Sequence, residues 1–247
     1  MYAKSPLISI ICPCYNSGES LERMILSVLA QDYTDYELIV VDGKSSDCTT
    51  LGILEKYAKK IICISEKDDG IYDAMNKGVE LARGKWFYFI GADDYFYDSA
   101  VLNRIFGKGN NINEGVGLIV GKALFGDKVR SYRLSSKMFL ENTLLHQAVF
   151  YSRKIFMDGF RYNKEFRVSS DYDLNFYCYK QGFVPLYLNV MVCRFSLEGI
   201  SSQVHFQSYK EEMAVRKKYI RRKWLCPFFA LYSYSRYVIR KIVMLIK

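Results

Sequence analysis

The residues of this chain best placed by type and spacing to do chemistry are two acidic clusters on either side of one helix and one strand. In the stretch 65–94, SEKDDGIYDAMNKGVELARGKWFYFIGADD, Asp68 and Asp69 stand in a polar loop. The spacing predicts a helix over 71–82, a stop at Gly84 and a buried strand WFYFI over 86–90, with Asp93 and Asp94 just past the strand end. In an open α/β sheet, ligands bind beyond the carboxyl ends of the strands, so both clusters can face one crevice. Adjacent carboxylates suit a hard cation whose shell is completed by phosphate oxygens, and that combination suggests a metal-bridged diphosphate. The competing reading makes Asp93 and Asp94 ordinary turn residues, with Asp94 or Asp98 capping the next helix. A third carboxylate, Asp171, stands at the start of a helix expected over 172–180. It either takes a proton from an acceptor hydroxyl or is a helix N-terminal charge, with Asp173 facing solvent.

The elements that must position these groups alternate. An isoleucine-rich run over 7–12 reads as a strand covered on both faces, 13–18 as a turn, and 20–31 as a helix with Leu21, Met24, Ile25, Val28 and Leu29 on one side. A strand over 36–41, a loop at 42–46, a helix over 47–57 capped by Asp47 and a strand over 61–64 follow. Asp42, at a strand end, can accept from a base N–H or a ribose hydroxyl. A short helix over 99–106 continues the rhythm, which then breaks after Asn113. Beyond it, 116–120, 129–132 and 148–151 read as strands, 152–157 as a brief helix, 183–188 and 190–195 as extended segments, and 204–224 as a long helix. Helical crossovers between short buried strands give an α/β fold with a mostly parallel sheet, flanking helices and a C-terminal helical extension.

Composition limits the function classes. The 247 residues are half apolar, with 21 Tyr and 16 Phe, enough for one large core. The formal charge of +9 belongs to the tail: residues 209–247 hold eleven Lys or Arg against Glu211 and Glu212, so the first 208 residues are neutral. That argues against a basic nucleic-acid-binding body. No secretory signal is expected in the opening residues, and no run of 18 apolar residues occurs. Seven cysteines, an odd number lying mostly in apolar strings, fit a reducing compartment. Cys12 and Cys14 lack the second pair a zinc site needs. Neither G-x-G-x-x-G after the first strand nor G-x-x-x-x-G-K-[ST] occurs, which removes the dinucleotide oxidoreductase and the phosphate-loop ATPase as leading readings.

Pro13, Tyr15 and Asn16 after the first strand, VVDGKSSDCT after the second, EKDDGIYDAMNKG next and GADD after the strand at Trp86 form an ordered set over about 7–98. Together they resemble the inverting nucleotide-sugar glycosyltransferases of the GT-A fold, in the bacterial group of glycosyltransferase family 2 that builds O-antigen, capsule and related surface glycans. The resemblance resumes at His146 and Gln147, at SSDYDLNFYCYKQG and, more faintly, at EGISS. It implies that 1–208 form the transferase domain, with 1–112 the nucleotide-sugar half and 113–208 the acceptor half. It also implies that Pro13, Tyr15, Asn16 and Asp42 line the nucleoside, that Asp68 and Asn76 lie on the donor side, that Asp93 and Asp94 hold Mn2+ or Mg2+ on the diphosphate, and that Asp171 is the general base. The donor expected from it is a UDP-sugar and the acceptor a saccharide on undecaprenyl diphosphate. His146 is either a packed residue beside the acceptor or one touching a sugar hydroxyl or phosphate; Ser201 and His205 stand near the donor phosphates.

The tail suggests its own role. A basic helix precedes FFALYSYSRYVIRKIVMLIK, in which Phe228, Leu231, Tyr232, Val238, Ile239, Ile242, Val243 and Ile246 can gather on one side, with Pro227 expected to separate the two helices. Residues 209–247 are therefore expected to lie on an anionic membrane surface, at the cytoplasmic face of the inner membrane. Closure over the core, or a seam in a homo-oligomer, is the competing reading. Two other functions stay open: a nucleotidyltransferase or other metal-dependent nucleotide enzyme, and a non-catalytic membrane-peripheral binding protein.

Overall fold

The computed structural model describes residues 5–110, 112–195 and 206–246. Its first half repeats strand and helix: β1 (Ile8–Cys14), α1 (Gly18–Leu29), β2 (Tyr36–Asp42), α2 (Cys48–Tyr57), β3 (Ile62–Ser65), α3 (Ile71–Leu81) and β4 (Trp86–Phe89). β1 and β4 are buried at every residue, as uninterrupted apolar runs with helices on both faces must be. The helical spacing read in α1 is the spacing of its buried face, Leu21, Met24, Ile25 and Val28. Asp47 caps α2 by accepting from the Thr50 N–H at 2.7 Å. These strands pair in parallel in the order β3–β2–β1–β4, so the loops leaving their carboxyl ends meet at one edge.

The second half comprises β5 (Tyr95–Phe96), α4 (Val101–Phe106), β6 (Val116–Phe125), β7 (Lys128–Ser131), β8 (Val149–Ser152), α5 (Arg153–Met157), α6 (Ser170–Gln181), β9 (Val184–Phe195), α7 (Phe206–Tyr219) and α8 (Cys226–Ile246). β8 runs antiparallel between β4 and β6, β9 lies parallel to β6, and β5 closes antiparallel on β9. The nine-stranded sheet is thus parallel from β3 to β4 and mixed beyond β4. The cause is the loss of crossover helices after residue 113: β6 and β7 are joined by a two-residue turn, which enforces an antiparallel hairpin. One core lies on each face of the sheet, the first including α1, α2 and α4 and the second α3, α5 and α6.

Three elements differ from expectation. The two extended segments at 183–195 are one strand whose pairing with β6 shifts register three times, so its side-chain alternation is broken and reads as an interruption. The two residues of β5 are too few for a periodic signal. The basic helix ends at Tyr219, and a short 3-10 turn, Lys223–Leu225, leads into α8. Pro227 therefore sits in the first turn of α8, where its missing N–H costs nothing, and does not itself part the helices. Among the described residues no helix is long and apolar enough to cross a membrane. The fold is a single Rossmann-like α/β domain with a C-terminal helical extension.

Candidate active site

A cavity of about 570 Å³ opens at the carboxyl edge of the parallel strands. Pro13, Tyr15, Asp68, Asp93, Asp94, His146 and Asp171, seven of the residues singled out by the sequence, lie on its wall. Asn16, Asp42 and Asn76 do not, and Ser201 and His205 lie outside the described residues.

The acidic pair follows β4 through a turn in which Gly91 leaves the two carboxylates room. A Cβ on Gly91 would stand 2.8 Å from Asp93 Oδ1 and 2.9 Å from Asp94 Oδ2, so a side chain there would push both carboxylates apart. Asp94 is buried and its Oδ2 accepts from Gln147 Nε2 at 3.1 Å; Asp93 is half-buried. Beneath the pair, burial first and then the charges of Cys14, Asp94 and Asp93 push the Cys12 thiol well up. The Cys14 thiol is pushed up by burial and by Asp42, so both sulfurs stay protonated and are poor soft-metal ligands. Two adjacent carboxylates are a fitting donor set for Mg2+ or Mn2+. No group of three or more His, Cys, Asp or Glu that could hold a metal exists among the described residues. The pair fits a cation whose shell is completed by substrate phosphate and water.

Near the β1–α1 loop, Tyr15 exposes 62% of its surface along the wall. Asp68 leans over the β2–α2 loop so closely that a Cβ on Gly43 would lie 2.5 Å from its Oδ2. Asp42 is fully buried, and its oxygens accept from Ser45 N at 3.1 Å, Ser45 Oγ at 2.5 Å and Ser65 Oγ at 2.6 Å. Its carboxylate shapes the loop from beneath. Asn16, with φ of 46°, ties the β1–α1 loop to Ser46 N at 2.9 Å, and Asn76 exchanges two 2.9 Å bonds with the Tyr162 backbone.

Asp171, in the first turn of α6, is held from several sides. Asn142 Nδ2 donates to its Oδ2 at 3.0 Å, and Tyr72 OH donates to its Oδ1 over a long 3.5 Å. His146 Nδ1, buried and without a hydrogen-bond partner, lies 3.6 Å from Oδ2. Burial and the Asp171 charge push the Tyr72 phenol well up, so it remains a donor. Asp173 is buried, not solvent-facing: Lys218 Nζ at 2.9 Å and Tyr219 OH at 2.5 Å bind it to α7. Tyr72, Asn142 and Arg167 were missed as site residues by sequence reasoning. Asn142 carries no motif, whereas Tyr72 sits inside the distinctive DGIYDAMNKG string.

The model of the family described as "Glycosyl transferase family 2" matches residues 9–165. A "PGL/p-HBAD biosynthesis glycosyltransferase" of Mycobacterium bovis (strain BCG / Pasteur 1173P2) is 33% identical over 209 residues, covering 81% of each chain. A Methanococcus voltae enzyme named "Dolichyl N-acetyl-alpha-D-glucosaminyl phosphate 3-beta-D-2,3-diacetamido-2,3-dideoxy-beta-D-glucuronosyltransferase" is 25% identical and covers 97% of this chain and 83% of its own. Among solved structures, the mannosyltransferase PcManGT from Pyrobaculum calidifontis, in complex with GDP-Man and Mn2+, superposes with a TM-score of 0.66 at 14% identity, over 94% of this chain and 74% of that one. That likeness concerns the fold. The chain belongs to glycosyl transferase family 2 and is an enzyme that transfers a sugar from a nucleotide-sugar donor.

Proposed function

We propose that this enzyme transfers a sugar, with inversion, from a nucleoside diphosphate sugar to a lipid-linked saccharide at a membrane surface, with Asp171 as general base. The single observation that carries this is one cavity wall bearing a tight carboxylate pair at one strand end and a separate carboxylate, Asp171, at the start of α6. Asp93 and Asp94 would hold Mn2+ or Mg2+. A divalent cation bound there supplies positive charge to the departing diphosphate. Asp68 and Tyr15 border the nucleoside side, the assignment to UDP following the family resemblance. Asp171 Oδ1 takes the proton of the acceptor hydroxyl as its oxygen bonds to the anomeric carbon and the bond to the diphosphate breaks. One direct displacement inverts that carbon. His146 borders the acceptor hydroxyl and stays available as a hydrogen-bonding neighbour of the base.

The lipid-linked acceptor follows from α8, whose outward face carries Phe228, Leu231, Ile239 and Ile242, each at least half exposed. Such a face beside a basic segment suits the headgroup region of an anionic bilayer and would bring the cavity to a membrane-borne acceptor.

The test is a panel of UDP- and GDP-linked hexoses and N-acetylhexosamines with Mn2+ or Mg2+, read as release of the nucleoside diphosphate, first without and then with a lipid-linked acceptor. The expected result is donor-selective, chelator-sensitive release. In Asp171→Asn, transfer should fall at least a hundredfold with donor affinity intact, because an amide keeps the shape and cannot take the proton. Parental transfer by a folded Asp171→Asn protein would exclude Asp171 as the base.

A further inference from the structure

Among the described residues that line the cavity there are four carboxylates, Asp68, Asp93, Asp94 and Asp171, and one Lys or Arg, Arg167. Arg167 lies in the segment leading into α6, on the wall that also carries Val168 and Asp171. This stretch of backbone is fastened with unusual care. The Glu211 carboxylate of α7, only 3% exposed, accepts from Arg167 N at 3.0 Å, Val168 N at 3.0 Å and Ser169 N at 3.1 Å. A buried carboxylate next to an arginine ordinarily binds the guanidinium. Here it is occupied by three backbone N–H groups, and Gln207 Nε2 approaches it at 3.2 Å. The Arg167 side chain stays exposed, and among the described residues no salt bridge or hydrogen bond engages its guanidinium.

An unpaired guanidinium on a rigid support, facing a cavity that is otherwise acidic, is built for an anion carried by a substrate. Its five donors in a planar fork match phosphate oxygens in pairs. Asp93 and Asp94, in the proposed transfer, account for the donor's diphosphate. Arg167 lines the same cavity four residues before Asp171, the group that takes the acceptor proton in the transfer proposed above. We propose that Arg167 is the residue of the acceptor half that binds the phosphate of a phosphorylated acceptor. Glu211 is the positioning residue that aims Arg167 by fixing its backbone. This inference rests on the proposed transfer function, and its failure can be told apart from the failure of that function.

The experiment uses the full chain in isothermal titrations with geranyl diphosphate and, separately, geraniol, each in the presence of UDP and Mn2+ so that the donor half is filled. The parent should bind the diphosphate well above the alcohol. Arg167→Ala should weaken the diphosphate by about tenfold to a hundredfold, as expected for losing a charge-assisted bidentate contact, and leave geraniol unchanged. Arg167→Lys should retain part of the affinity, since a point charge replaces the fork. UDP titrated alone with Mn2+ should bind parent and both variants equally, with unchanged Tm. Equal geranyl diphosphate affinity in parent and Arg167→Ala would overturn the proposal. So would a parallel loss of UDP affinity in Arg167→Ala, which would assign the guanidinium to the donor's diphosphate. Absence of UDP binding by the parent would instead strike the transfer function itself.

Discussion

The two oxygens of Asp171 are not equivalent. Oδ2 is fixed by Asn142 and faced by His146, whereas among the described residues Oδ1 meets only the distant Tyr72 hydroxyl and is the oxygen that the proposed mechanism leaves to take a proton. Behind Asn142 runs a one-directional chain: Tyr151 OH donates to Asn175 Oδ1 at 2.7 Å, and Asn175 Nδ2 donates to Asn142 Oδ1 at 3.0 Å. Tyr151 and Asn175 are fully buried, so each amide orientation is enforced by the next. Replacing Asn142 by Ala should therefore lower kcat about tenfold, roughly 1.4 kcal/mol, with nucleotide affinity unchanged. Tyr151→Phe should cost less, because the freed Asn175 amide can turn. Steady-state kinetics beside a UDP titration check both, and an Asn142→Ala enzyme with parental kcat would remove the positioning role. At this scale the sequence disclosed carboxylates delivered by strand ends and by a helix start, because those positions follow from local periodicity. It could not disclose Asn142, which reaches Asp171 across 29 residues through tertiary packing. Nor could it show that Ser65 would occupy an oxygen of Asp42, since that depends on the close pairing of β2 with β3.

At the scale of elements, α7 is the part whose appearance in sequence and role in structure diverge most. Its Lys and Arg read as a basic helix for an anionic membrane surface, yet Arg216 is 1% exposed. Its guanidinium donates to Glu212 Oε2 at 2.5 Å, to Ser233 Oγ of α8 at 2.5 Å and to the Phe229 carbonyl at 3.4 Å. Arg236 of α8 joins the same Glu212 and also Glu141, both at 3.3 Å. Burial pushes the Glu212 carboxyl up, and Arg236 and Arg216 oppose that push. Removing one member of so buried a group leaves charge without a partner, so Arg216→Ala should destabilise the protein by about 3 kcal/mol in urea titration. It should also make the segment 220–225 the first site of limited proteolysis, because α8 loses its tether. A variant with parental stability and cleavage pattern would show that α8 is held by other contacts. The hint in the sequence was slight: Glu211 and Glu212 are the only acids in an otherwise basic tail, and two isolated acids there are better explained by partners than by solvent. The parallel half of the sheet was fully legible because each strand is one apolar run between turn residues. The mixed half was less so, because bulges in β9 and the brevity of β5 erase the period on which such reading depends.

Across the whole molecule, the C-terminal extension presents opposite faces to the body and to the outside. Two polar residues of α8 turn inward, Ser233 fully buried and Arg236 mostly so, whereas Phe228, Leu231, Ile239 and Ile242 turn outward at 50–68% exposure beside the exposed Arg240 and Lys241. This is the reverse of a helix closing over a core, where the apolar side would be covered. Trp224, 71% exposed, and the exposed Arg221, Arg222 and Lys223 border the stripe. Each apolar side chain gains on the order of 1.5–3 kcal/mol on full burial, and each basic residue near anionic headgroups about 1 kcal/mol. The two contributions respond differently to salt, since screening acts on the charges and leaves insertion untouched. Full-length protein should therefore float with anionic liposomes, be only partly released by 0.5 M NaCl (about a 4 Å screening length), and bind neutral liposomes weakly. A combined Phe228→Ser, Leu231→Ser, Ile239→Ser and Ile242→Ser protein keeps Arg216, Ser233 and Arg236, and so should remain folded and lose the salt-resistant fraction. Truncation before α7 would be a poor control, because it deletes Glu211 and the buried Tyr209 and Val215 along with the membrane face. Equal flotation of parent and the fourfold variant would sink the membrane reading. A concentration-dependent dimer of the parent in sedimentation, absent from the variant, would assign the stripe to a second copy of the chain instead.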